Sequence, residues 1–417
     1  MADAHEGMID IDGDDDTDRG ATGSKKDRRG KTLSERPEEE IYQTLMQWYL
    51  LDDEHSREWR EQECKLSFDF VAGDQWDPMA KAEVTGEKRV PLTYNVTLAF
   101  IKAVAGLEIG SRHETVFLPQ EVEGDDIEAN ELLSETSNWM GAQCDAEDEQ
   151  TEVFTDSLIC GMGWSDSRMD LESADGEYFE EQIDPMEMRW DRAARKKNLK
   201  DSRRMWRVRK FTLDEAQEKF PDADPEDLHC SWAIGFDPDT GQAKPIEERR
   251  MKIGEGTAPN DPRTEIHIVQ VQWIERECFY RVAVQQPAMQ MGMPAQMVQQ
   301  DVSEKDYATL KADADEAGVK LSAVKLFKKR FMQAFLGAKV LEIGPCPHPD
   351  RFTLQCITGT PHRSKGTWFG LVKVMRDPQM NANKWMSQLL HILNTTAKGG
   401  IIAEEGSFKN VEDAKKT

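Results

Sequence analysis

Apolar residues at helical spacing begin soon after the first thirty positions. Ile41, Leu45, Trp48 and Trp59 share one stripe with charged residues between them. This predicts a long helix starting near Ser34–Pro37, running to about Phe70 and stopped by Gly73. Val96, Phe100, Ile101 and Val104 predict a second helix ending near Gly106–Gly110, with a short strand over Thr115–Leu118. Two more helices fit residues 124–160, and paired strands fit Trp164–Leu171 and Glu177–Ile183. Thr212 through Glu215 reads as a capped helix start, and that helix ends at Phe220-Pro221.

Residues 222–262 are rich in Pro, Asp and Gly and read as a linker. Alternating Ile266, Ile268, Val271 and Trp273 mark a strand-rich stretch over Thr264–Val284, and the Met/Gln/Pro-rich residues 285–300 mark a flexible loop. A polar helix over Ser303–Ala317 and a hairpin over Lys329–Glu342, turning at Gly337, follow.

The clearest periodicity lies near the end. Asp377 is a good N-cap with Pro378 at the first helical position. Ala382, Trp385, Met386, Leu389 and Leu393 then fall on one face, and Asn381, Lys384, Gln388, His391 and Thr395 on the other. Gly399–Gly400 stop the helix. The spacing predicts an apolar stripe laid on the protein and a polar stripe facing outward.

Composition narrows the function classes. With 79 acidic and 53 basic residues the net charge is −26, the wrong sign for gripping nucleic acid through its phosphates. The same charge suits a surface that DNA passes without sticking, and equally an ordinary acidic protein. The seven cysteines are scattered without a C-x-x-C pair, which suits free thiols in a reducing compartment. Cys346-Pro-His348 has no second ligand pair, so no metal site is expected. No apolar run reaches the roughly 18 residues a membrane span needs, and the acidic start is no signal peptide. Residues 1–36 read as a disordered charged arm; Asp10-Ile-Asp12-Gly-Asp14 lacks the glycine position and twelfth-position glutamate of a calcium loop.

One segment, Arg189–Lys210, is strongly basic. It includes Arg195, Lys196, Lys197, Arg203 and Arg204, with Trp190 and Trp206 interleaved. Such a segment can track a polyanion, lie in solvent, or pair with acids of a neighbouring subunit; in so acidic a chain the last is favoured. No G-x-x-x-x-G-K-[ST] loop, G-x-S-x-G elbow or H-E-x-x-H pair is present, so neither a nucleotide-driven motor nor a hydrolase is expected.

Several short motifs occur in a telling order. Phe70-Val-Ala-Gly73-Asp74-Gln75-Trp76 comes first, then Arg89-Val-Pro91-Leu-Thr-Tyr-Asn95, Gly161-Met-Gly163-Trp164, and Pro185 through Asp191. The hairpin with Phe331 follows, and finally Arg376-Asp377-Pro378-Gln379 with Asn383 and Ser387. From about Phe70 to Ser387 the chain resembles portal proteins of short-tailed double-stranded DNA phages. It departs from the pattern at Val90, inserted between Arg and Pro, at Arg192 after Asp191, and at Phe331 in place of tryptophan.

The resemblance implies an α+β portal-type fold: a mixed α/β wing over 37–221, a clip- or stem-like region over 222–347, a channel or stem helix over 348–403, and a tail over 404–417. Family members extend beyond this helix, so either the C-terminal crown is missing or the reading frame is split or truncated. It further implies a ring of twelve copies at one capsid vertex of the virion, assembled in the host cytoplasm. Terminase, tail adaptor, and capsid or scaffold proteins would dock on it while DNA passes through. No cofactor, metal or catalytic residue is implied. Asn381, Lys384, Gln388 and His391 would face the channel or a neighbouring subunit. The rival readings are an acidic helical scaffold or head-tail adaptor, and a DNA-processing enzyme.

Overall fold

The computed structural model describes residues 32–87, 89–112, 115–118, 124–170, 177–230, 232–233, 265–285, 297–303, 306–311 and 322–396. The expected features of residues 1–31, most of the linker, residues 286–296 of the Met/Gln-rich loop, much of the polar helix, Gly399–Gly400 and the tail lie outside the described residues. Gln285 and residues 297–300, expected in that loop, are strand instead, because Gln285 pairs with Met297 and residues 298–300 pair with 282–284.

Residues 32–36, expected as part of the arm, carry defined structure. Thr32 and Glu35 form a reciprocal capping box around a short turn. The backbone N–H and hydroxyl of Ser34 both donate to the Glu275 carboxylate, at 2.8 and 2.7 Å. Residues 32–36 are thus pinned to the large sheet and do not belong to the arm.

The first helical run is continuous: α1 (Glu38–Glu58), a π-helical turn (Trp59–Cys64) and α2 (Lys65–Ala72). The wider π turn lets adjacent Trp59 and Arg60 both point inward. Gly73, at φ +115°, ends α2, its N–H bonding back to Asp69 and Phe70. Then come α3 (Pro78–Gly86), α4 (Val96–Ile109), α5 (Gly124–Gln143) and α6 (Ala146–Cys160). The strand expected over Thr115–Leu118 does not form. Among the described residues no strand pairs with it, and side chains of α5 take its N–H groups instead: Asn138 accepts from Thr115 at 3.3 Å and Ser134 from Phe117 at 2.9 Å.

Strands β1 (Met162–Asp170) and β2 (Glu177–Ile183) form an antiparallel pair extended by β9 (Leu354–Thr358). The main sheet runs in the order β3 (Met188–Trp190), β4 (Arg204–Thr212), β5 (Glu265–Gln285), β7 (Ser322–Leu336), β8 (Val340–Pro345), with β6 (Met297–Ser303) beside the distal half of β5. A small ribbon of β10 (Thr360–His362) and β11 (Thr367–Phe369) leads into the last helix, α8 (Leu371–Thr396); α7 (Leu213–Lys219) follows β4.

Two of the hydrophobic cores among the described residues hold the large sheet and its neighbours. In one, α1 lies on the main sheet, with Ile41, Leu45 and Tyr49 against Trp206, Val271, Trp273 and Trp232. In the other, Trp59, Trp164 and Trp368 surround Trp190, with ring centroids 5.4 to 6.4 Å from it. Beyond Glu275, β5, β6 and β7 leave the core as a three-stranded ribbon that exposes Val324 and Phe327.

Candidate functional site

Helix α8 begins at Leu371, not at Asp377. Pro378 therefore sits inside it and cannot donate to the carbonyl of Val374. Both residues are exposed, so water can take that carbonyl. This is why the proline does not break the helix and why it misled as a start signal.

The face of α8 that packs on the protein is not the apolar stripe. Gln379, Asn383 and Ser387, spaced four apart, are buried. Together they meet the turn after α2 and the segment before α4. Asn383 donates to the Gln75 amide oxygen at 2.8 Å, and Gln379 donates to the same oxygen at 3.1 Å. Asn383 also accepts from the Tyr94 N–H at 3.0 Å, Gln379 donates to the Tyr94 carbonyl, and Ser387 accepts from the Leu92 N–H at 2.8 Å. Gln75 donates to Asn95 at 2.8 Å and to the Phe70 carbonyl at 3.1 Å, and Asn95 donates to the Val71 carbonyl and caps α4 through the Leu98 N–H. Trp76 covers one end, donating to the Leu92 carbonyl at 3.1 Å.

Gln75, Asn95, Gln379 and Asn383 thus share one satisfied polar seam, with Gly73 and Pro91 shaping its walls. Each such bond contributes on the order of 1 kcal/mol net, and leaving any member unpaired costs more.

Turned away from the seam, α8 exposes Val374, Trp385, Met386, Leu389, Ile392 and Leu393; Trp385 is 75% exposed. The polar stripe Asn381, Lys384 and Gln388 is exposed as well, with His391 half-buried and Arg89 donating to Gln388. The helix therefore has three faces: an inward polar seam, an outward apolar stripe and an outward polar stripe. Asp377 is exposed and caps nothing within the described residues.

The basic segment finds many of its counter-charges within its own chain. Asp52 accepts from Arg204 at 3.0 Å and from the Trp206 indole at 2.9 Å; Asp191 also pairs with Arg204, at 3.2 Å. Asp53 binds Arg57, Arg60 and Arg189, and Arg207 pairs with Glu181 and Glu187. Burial opposes ionisation of Asp53, yet Arg60, Arg189 and Arg57 outweigh it and hold the carboxyl below its ordinary value. Burial, with Arg189 close by, pulls the Arg60 guanidinium down to about 10. The favoured pairing with a neighbouring subunit is thus replaced, for Arg189, Arg204 and Arg207, by pairing with acids on α1, β2 and the turn before β3. Arg195, Lys196, Lys197 and Arg203 remain exposed, the first two with their backbone N–H groups held by Asp201.

Asp52 and Asp53 went unnoticed in the sequence. Their signal was an acidic pair continuing the buried stripe of α1, seven and eight positions after Leu45.

An α+β protein whose helix α8 exposes a long apolar stripe offers a surface suited to assembly. The profile of the Phage P22-like portal protein family matches residues 46–417, and the chain belongs to that family. It is accordingly a structural bacteriophage portal protein and not an enzyme. A comparison with curated proteins finds no match. Among the described residues no helix is long and apolar enough to cross a membrane.

Proposed function

We propose that the chain is one wall segment of a ring at a capsid vertex, twelve copies in the expected assembly, through which double-stranded DNA is packaged and later ejected. The observation that carries this reading is the three-faced α8 in a member of the portal family. A seam locks the helix to its own subunit, leaving one apolar and one polar stripe for other contacts. Asn381, Lys384, Gln388 and His391 face the channel or a neighbouring subunit, and the net charge of −26 keeps the passing polyanion from adhering. Passage is independent of DNA sequence.

In this reading residues 37–221 form the wing. The projecting ribbon of β5, β6 and β7, with Phe327 and Val324 exposed, docks terminase during packaging and tail adaptors afterwards. The wing contacts capsid or scaffold proteins while the particle assembles in the host cytoplasm. Native mass spectrometry and negative-stain imaging of the purified chain test this. A closed annulus with a central hole is expected; a stable monomer, or a chain that cleaves DNA, overturns it.

A further inference from the structure

We propose that the apolar stripe of α8 is covered by α5 of the next copy of this chain. The inference rests on the ring reading above and names the surfaces that close it.

The stripe of α8 cannot be satisfied from behind, because the seam fixes the opposite face inward. Val374, Trp385, Met386, Leu389, Ile392 and Leu393 together offer on the order of 700 Å² of apolar side chain, close to the roughly 800 Å² per partner of a stable interface. A stripe of that size on an isolated soluble protein marks a contact site.

A ring needs two different surfaces on each subunit, because head-to-tail contacts join unlike faces. Helix α5 supplies the second. Its Ser134 and Asn138 side holds residues 115–118, while Leu132 and Trp139, 64% and 63% exposed, point elsewhere. These two lie seven residues apart, as do Trp385 and Ile392, so the α5 stripe matches this part of the longer α8 stripe, each spanning two turns and about 10 Å.

Charge also matches. Exposed Glu128, Glu131 and Glu135 border the α5 stripe, whereas Lys384 and His391 border that of α8. Within one subunit α5 packs on α6 and β2, while α8 packs on α6, α2 and α4. Both stripes are therefore left outward. A second copy thus matches the Trp385–Ile392 part of the α8 stripe in length and its borders in sign of charge.

The test is ring assembly against protein concentration, followed by native mass spectrometry, for the full chain. Trp385→Asp/Leu389→Asp and Leu132→Asp/Trp139→Asp are each expected to raise the half-assembly concentration at least tenfold. Because all four residues are exposed in the single subunit, thermal melting of the unassembled chain should stay unchanged. Lys384→Glu should weaken assembly, and Glu128→Lys/Glu131→Lys/Glu135→Lys in the same chain should bring it back to within about threefold of the wild type. A wild-type ring that the Asp variants leave intact overturns this interface while the ring reading stands. Loss of assembly with no charge-reversal rescue overturns the assignment to α5. A wild-type chain that never closes a ring removes both.

Discussion

The side-chain amide of Asn383 donates to that of Gln75 across 2.8 Å, joining positions 308 residues apart. This contact makes α8 a fixed part of the subunit instead of a loose terminal helix. Both residues are almost wholly buried; Gln75 donates twice and accepts twice, and Asn383 accepts twice besides donating to Gln75. Replacing either by Leu strands the other in a buried site. Asn383→Leu and Gln75→Leu are each expected to cost roughly 2–4 kcal/mol. The double variant should lose less than the sum, with a coupling of about 1–2 kcal/mol, because it removes both halves of one network. Urea denaturation of the four chains measures this; strictly additive losses refute the coupling.

Asp53, on α1, ties together a second buried polar cluster. Its carboxylate stands between Arg60 and Arg189, themselves buried. Asp53→Asn leaves two buried cations without their counter-charge and is expected to destabilise by roughly 3–5 kcal/mol. The carboxyl titrates lower in the folded chain than in the unfolded one, so the folded state binds fewer protons. Its contribution is complete above the ordinary carboxylate value and fades as pH falls through the lowered folded value. Denaturation midpoints at pH 7 and pH 3 should converge between wild type and Asp53→Asn as acid is added. A gap that stays constant rules the mechanism out.

These two sites show what the amino-acid pattern could and could not disclose. The long first helix, its stop at Gly73, the paired strands after Gly163 and the hairpin turning at Gly337 all follow from periodicity and turn chemistry, because their causes are local. The seam does not. Gln379, Asn383 and Ser387 look like solvent-facing residues until Gln75, Leu92 and Tyr94 arrive from some 300 positions away. Their burial reverses the expected orientation of α8, turning its apolar stripe outward. Likewise Arg204 reads as a surface cation because Asp52, its partner, lies 152 residues upstream. The ordered motifs recorded these contacts without revealing their geometry.

Gly163 marks a place where backbone meets backbone. A Cβ built there would stand 1.9 Å from the Val153 carbonyl oxygen, so β1 lies directly on α6 with no room for a methyl group. Gly163→Ala must push α6 away from the tryptophan core and is expected to cost at least about 3 kcal/mol. Gly344 in β8 has nothing within 4 Å of the same position. Gly344→Ala should be neutral or stabilising by up to about 1 kcal/mol. Thermal melting of the two variants checks the contrast, and similar melting temperatures would mean that α6 yields freely.

Asp156 on α6 carries the opposite pH signature to Asp53. Burial pushes its carboxyl up to about 6; the 2.6 Å hydrogen bond from Gln182 works against this, and the nearby acids Asp184 and Glu152 add to it. The folded chain therefore holds a proton here that the unfolded chain has already released. Stability from this group is greatest below about pH 4 and is lost as pH rises through 6. Asp156→Asn keeps a carbonyl for Gln182 to donate to and removes the buried charge. After discounting for partial solvent access, the variant should be more stable than wild type by about 1–2 kcal/mol at pH 8, and the advantage should vanish near pH 4. Urea midpoints across that range decide it. A variant less stable at pH 8 would mean that the charged form of Asp156 is held by contacts stronger than its burial.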